Sequence, residues 1–169
     1  LSEVHLESIS REILPYLDEL PEKQPNGYHV DIPSGASQRL KELVAQDWEG
    51  LFLTLDYGKS KAELLESSPQ GTARAYKNHQ QSNELLSNPG GQDLTCHLCW
   101  DWLETILIEN KFDDVQTLRQ ESMFMRHAKD PIKEILEDHG NSKEKRRLME
   151  LLHPAHLGLK FQALSGFRK

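Results

Sequence analysis

Side chains able to bind and position a charged substrate concentrate in two places. Asp56 and Tyr57 follow the apolar run Leu51-Phe52-Leu53-Thr54-Leu55 and precede Gly58. A polar pair with a glycine at the C-terminal end of a strand stands where open α/β sheets place their ligands. Further on, Arg74, Tyr76, His79, Asp93, Thr95 and His97 lie in a glycine-punctuated segment between Gly71 and His97. Loops of mixed polar chemistry held by a rigid sheet commonly carry function. A plainer arrangement uses the same residues: Arg74 and Asp93 could pin the loop by a salt bridge, with His79 a bystander. Composition alone leaves both open.

Other constellations carry less. Cys96-His97-Leu98-Cys99 and His153-Pro154-Ala155-His156 could be imagined as one zinc site. The second pair is too tightly spaced for the usual histidine ligands and no second C-x-x-C exists. On a strand, Cys96 and Cys99 would also face opposite sides. They are expected to be buried or half-buried thiols, and no metal is assigned. Lys143, Lys145, Arg146 and Arg147 are interleaved with Glu144 and Glu150, the pattern of a solvated helix face. Lys59 and Lys61 are too sparse to suggest nucleic acid, and no aromatic platform accompanies the basic residues. Gly50 and Gly58 form neither a G-x-G-x-x-G nor a Walker loop.

Composition narrows the field further. The 169 residues include 20 basic and 27 acidic side chains, a net charge of −7. Such acidity argues against an affinity built on neutralising phosphates or anionic lipid. Apolar runs are far shorter than the roughly 20 residues needed to span a bilayer, and no signal peptide is visible. Two cysteines are too few for a disulfide scaffold, which favours a reducing compartment. The expected protein is cytoplasmic, binds neither nucleic acid nor membrane, and forms one domain. The first residue is Leu1 and not Met, so the chain is expected to be either trimmed or excised from something longer.

The elements that must position these residues follow from periodicity. Residues 1–26 read as an acidic lead-in with Leu6, Ile9 and Ile13 at helical spacing until Pro15 interrupts; residues 27–169 read as the domain proper. Tyr28 to Ile32 alternates like a short strand, and Ser37 is a candidate cap for a helix carrying Leu40, Leu43 and Val44. Leu51 to Leu55 fits a strand buried on both faces in a parallel sheet. Ser60-x-x-Glu63 has the form of a capping box. Residues 67–92 read as a long loop, Asp93 to Trp100 and Val115 to Met125 as strands, and Asp101-x-x-Glu104 as a helix start. Asp130-Pro131 and Lys143 to Leu152 mark two further helices, and Lys160 to Phe167 reads as an edge strand. The order gives an α/β fold with an antiparallel tail.

The motif residues also carry a resemblance. Leu55-Asp56-Tyr57-Gly58, then Gly71-Thr72-Ala73-Arg74-Ala75-Tyr76 with His79, then Pro89-Gly90 and Asp93-Leu94-Thr95-Cys96-His97, resemble in order and spacing the successive signatures of the MidA-type methyltransferases. Mitochondrial members of that family are arginine methyltransferases needed for respiratory complex I assembly. The similarity runs over roughly residues 27–167 and includes Gly27 to Ser34, His153-Pro154, Gly158 and Phe161-Gln162. It departs at Ala73, where a bulkier apolar residue is common.

The resemblance implies the C-terminal part of a Rossmann-like class I methyltransferase sheet, beginning after its fourth strand, with S-adenosyl-L-methionine as cofactor. The cofactor's glycine loop, a ribose-binding acid and an Asn-Glu segment of the family are not among these residues. It implies Asp56 and Tyr57 as catalytic residues and Arg74, Tyr76, His79, Asp93 and His97 as substrate-binding residues. The implied partner is a protein whose arginine side chain is methylated, the chain alone being inactive. A half-sheet with an exposed edge would also tend to form homo-oligomers. Two other readings stay open: a non-catalytic docking or assembly module on the same fold, and a methyltransferase for a small molecule or another side chain.

Overall fold

The computed structural model describes residue 4 and residues 7–138, 140 and 142–169. In chain order the first elements are α1 (Leu14–Leu17), α2 (Ser34–Val44), β1 (Gly50–Asp56), β2 (Gly58–Lys59) and α3 (Lys61–Ser67). There follow β3 (Arg74–Lys77), β4 (Gln80–Ser82), β5 (Asp93–Thr95), β6 (Leu98–Cys99) and α4 (Trp100–Glu109). The last are β7 (Asp113–Arg119), α5 (Gln120–His127), α6 (Lys129–Glu137), α7 (Ser142–Leu152) and β8 (Gln162–Arg168). The chain folds as two compact units, one of residues 1–43 and 59–103, the other of 44–58 and 104–169.

In the first unit, Tyr16, Leu64, Cys99 and Trp102 form a buried cluster with Ile32 packed against it. Tyr16 meets Trp102 edge to face at 4.6 Å. The indole Nε1 of Trp102 donates to Glu19 Oε2 at 3.1 Å, and Lys61 Nζ donates to the same oxygen at 2.6 Å. The Lys61 hydrogen bond holds the Glu19 carboxyl below its ordinary pKa against the opposing effect of burial. Burial pushes the Cys99 thiol up to about 11, so it is an inert core residue. Cys96 is exposed, contrary to the expectation of two sheltered thiols.

Pro15 opens α1 instead of interrupting a helix, because a missing N–H costs nothing in a first turn. Ile9 and Ile13 precede it, and Leu6 lies outside the described residues. α3 begins with the anticipated capping box: Ser60 accepts from Glu63 N, and the Glu63 side chain returns to Ser60 N. α2 starts at Ser34, placing Ser37 inside it as a buried residue and not as its cap. The alternation at Tyr28–Ile32 yields only an isolated parallel bridge between His29 and Gln70. Residues 67–92 contain a hairpin that their composition concealed. β3 lies between β4 and β5, antiparallel to both.

The second unit is built on an antiparallel three-stranded sheet in the order β1-β8-β7. β8 is thus central and not an edge, with Ala163 and Leu164 buried. β1 is paired antiparallel to β8, and its burial alternates instead of covering both faces: Leu51 and Leu53 are exposed. β7 ends at Arg119 and the chain turns directly into α5, so the anticipated strand to Met125 is half helix. A register shift between Asp113 and Gln116 brings Asp114 to φ 50°. α6 starts at Lys129, one residue before Asp130, and α4 at Trp100, so neither acidic residue is the N-cap predicted for it.

Arg168 closes this unit. Its guanidinium donates to the carbonyls of Trp48, Val44 and Gln46 at 2.8, 2.5 and 2.6 Å. It also lies 4.6 Å from the Trp48 ring centre and 5.1 Å from that of Phe112. Gly166 makes room for this arrangement, since a Cβ there would come within 3.3 Å of Phe112 Cβ.

Candidate functional site

The candidate site of the first unit grows from one carboxylate. Asp31 Oδ2 accepts from the backbone N–H of Thr72, from Thr72 Oγ1 at 2.9 Å and from Ala73 N at 3.0 Å. Such convergence fixes the Gly71-Thr72-Ala73 turn. It also requires Gly71, which has φ 67° and whose Cβ would meet Asp31 Oδ2 at 2.9 Å. Thr72 is buried, and its Oγ1 accepts from His97 N at 3.0 Å. Asp31, the turn and the segment around His97 are therefore joined through one threonine. Tyr28 adds a further tie, its hydroxyl donating to Leu65 O at 2.6 Å.

Above this turn lies a polar cavity of about 420 Å³, with Lys59, Ser68, Thr72, Arg74, Tyr76 and His97 among its lining residues. Arg74 Nη1 donates to Gly71 O at 3.3 Å and Ala73 O at 2.6 Å, which orients the guanidinium by its own turn. These two bonds, and not the salt bridge to Asp93 that the sequence left open as an alternative, hold Arg74. Lys59 Nζ donates to Ser68 Oγ at 2.9 Å. Tyr76 donates its hydroxyl to Gln81 Oε1 at 3.0 Å across the hairpin.

The structure thus gathers three of the five expected substrate residues, Arg74, Tyr76 and His97, around one cavity. It does not bring His79 or Asp93 to the lining. His79 (φ 62°) and Asn78 (φ 51°) form the two-residue tip of the β3–β4 hairpin, where both residues need a left-handed backbone. Asp93 sits on the β5 edge opposite Tyr76 and is exposed. Asp56 and Tyr57 belong to the second unit. Asp56 is exposed at the end of β1, accepting from Tyr57 N at 2.7 Å, and the Tyr57 ring lies 4.1 Å from that of Phe161. Sequence reasoning missed Asp31, Lys59 and Arg168. None of the three had a signal; Asp31 occupies an ordinary polar position of the alternating segment Tyr28–Ile32.

His153 and His156, whose rings lie 5.4 Å apart, are linked locally: His153 Nδ1 accepts from Ala155 N at 3.1 Å. Of Lys143, Lys145, Arg146 and Arg147, expected as a solvated helix face, Lys145 is half-buried and the other three are exposed, and Arg146 pairs with Glu150 at 3.5 Å. No helix among the described residues is long and apolar enough to cross a membrane.

Residues 2–117 match the family model described as "Putative S-adenosyl-L-methionine-dependent methyltransferase". The chain belongs to this family. The chain is also similar in fold to two solved structures from Burkholderia thailandensis. One is a superfamily member bound to S-adenosyl-homocysteine, with a TM-score of 0.72 and 19% identity over 85% of this chain. The other is an uncharacterized protein of the same superfamily, with a TM-score of 0.69 and 18% identity, again over 85% of this chain. The chain spans 38% and 41% of their respective lengths. No curated protein matches it. The mixed α/β architecture agrees with the fold class expected from the sequence.

The cofactor of this family is S-adenosyl-L-methionine. The lining of the cavity fits one part of that molecule and not the whole. Lys59 and Arg74 suit a carboxylate, but no acidic side chain lines the cavity to receive the paired ribose hydroxyls. The cavity by itself is therefore not a complete cofactor site.

Proposed function

We propose that this chain is the substrate-side, C-terminal portion of a cytoplasmic MidA-type methyltransferase that transfers methyl to a protein arginine. The observation that carries the reading is the gathering of Arg74, Tyr76 and His97, all from the motif series, around one polar cavity. The cofactor supplies an activated methyl on sulfonium. The protein's share is alignment of the nucleophile, so rate depends on how firmly the substrate is held. The Asp31-Thr72-His97 links give the cavity wall that firmness.

Asp56 is the carboxylate assigned to the arginine. It is exposed at the C-terminal end of a strand, and a carboxylate can take two N–H bonds from a planar guanidinium while fixing its rotation. Tyr57 stands beside it with its ring braced on Phe161.

In the intact enzyme, Asp56→Asn is expected to lower methyl transfer more than tenfold with an unchanged circular dichroism spectrum. Unchanged turnover removes Asp56 from the site. The chain alone is expected to methylate nothing; turnover by the purified chain contradicts its assignment as the substrate-side portion.

A further inference from the structure

We propose that the polar cavity of the first unit is a carboxylate-binding site. On the reading above, in which the substrate is a protein, the carboxylate is an acidic side chain of that protein. The chain carries a net −7, yet among the described residues the cavity is lined by Lys59 and Arg74 and by no acidic residue. Neither cation is in a salt bridge among the described residues. Two half-buried cations without acidic partners repel each other, an arrangement that an incoming anion relieves.

Geometry supports the same ligand. Arg74 uses Nη1 on Gly71 O and Ala73 O, so its plane is fixed while Nε and Nη2 remain available as a fork. A fork of that kind matches the two oxygens of a carboxylate. Lys59 is steadied by Ser68 and adds a point charge. The nearest acid in the network, Asp31, is spent on Thr72 and Ala73 and does not line the cavity. A guanidinium would meet only like charge here, so the cavity complements an acidic side chain of the substrate and not its arginine. Recognition of a substrate anion raises specificity and encounter rate more than raw affinity.

The cofactor also bears a carboxylate, and the test separates the two sources. The ¹⁵N-labelled chain is titrated with acetyl-Glu-Arg-Glu-amide, with its Gln-Arg-Gln counterpart and with S-adenosyl-homocysteine. Saturable shifts of the Gly71, Thr72 and Arg74 amides by the glutamate peptide are expected, at least tenfold weaker with the glutamine peptide. Lys59→Gln and Arg74→Gln should each weaken the glutamate peptide about tenfold while amides of the second unit stay in place. Equal binding of both peptides, or indifference to both substitutions, overturns the site. Displacement of the peptide by S-adenosyl-homocysteine overturns the substrate assignment and gives the cavity to the cofactor. If the glutamate peptide binds as expected but the intact enzyme does not methylate it, the carboxylate site stands and the arginine reading fails.

Discussion

Asp31 gathers three donors on one oxygen, and through Thr72 it reaches His97, so a single carboxylate orders the wall of the cavity. Asp31→Asn keeps the shape but weakens charge-assisted bonds to the turn, a loss of about 1–3 kcal/mol. The expected readout is local: faster hydrogen exchange at the Thr72 and Ala73 amides, with β8 unaffected. Protection unchanged at both amides contradicts the role given to Asp31. At this scale the sequence was informative in an uneven way. Arg74, Tyr76 and His97 were legible because they stand in an ordered motif series. Asp31 and Lys59 were not, because their role depends on partners 41 and 9 positions away, at Thr72 and Ser68. His79 was misleading for a physical reason: a polar residue in a tight turn and one in a site look alike until the backbone angles are known.

At the scale of elements, local signals located helices better than strands. The α3 capping box and the amphipathic pattern of α7 are complete within a few residues, so both were evident. The place of β8 in its sheet was not, since centrality is decided by pairing with β1 and β7. Nor was the burial of β1, whose apolar run pointed to two covered faces while Leu51 and Leu53 are exposed. Arg168 at the end of β8 ties that strand to the carbonyls of Val44, Gln46 and Trp48. Removing it leaves those carbonyls without their charged donor and frees two aromatic faces. Arg168→Ala should destabilise the second unit by about 3 kcal/mol. Arg168→Lys should recover little, because an ammonium cannot span three carbonyls. Urea unfolding followed by tryptophan emission checks this, and an unshifted midpoint contradicts the clamp.

At the scale of the whole molecule, the chain supplies a cationic polar cavity in one unit and an exposed strand-end carboxylate in the other. Both suit substrate chemistry, and the chain spans less than half the length of the S-adenosyl-homocysteine-bound structure it resembles. On the proposed function, cofactor binding depends on residues beyond these, while this chain serves the substrate. Calorimetric titration of S-adenosyl-L-methionine into this chain, and into the longer Burkholderia thailandensis relative whose structure holds S-adenosyl-homocysteine, tests it most directly. Micromolar binding by the longer protein and none by this chain is the predicted result. Equal binding by both, or binding by neither, contradicts it.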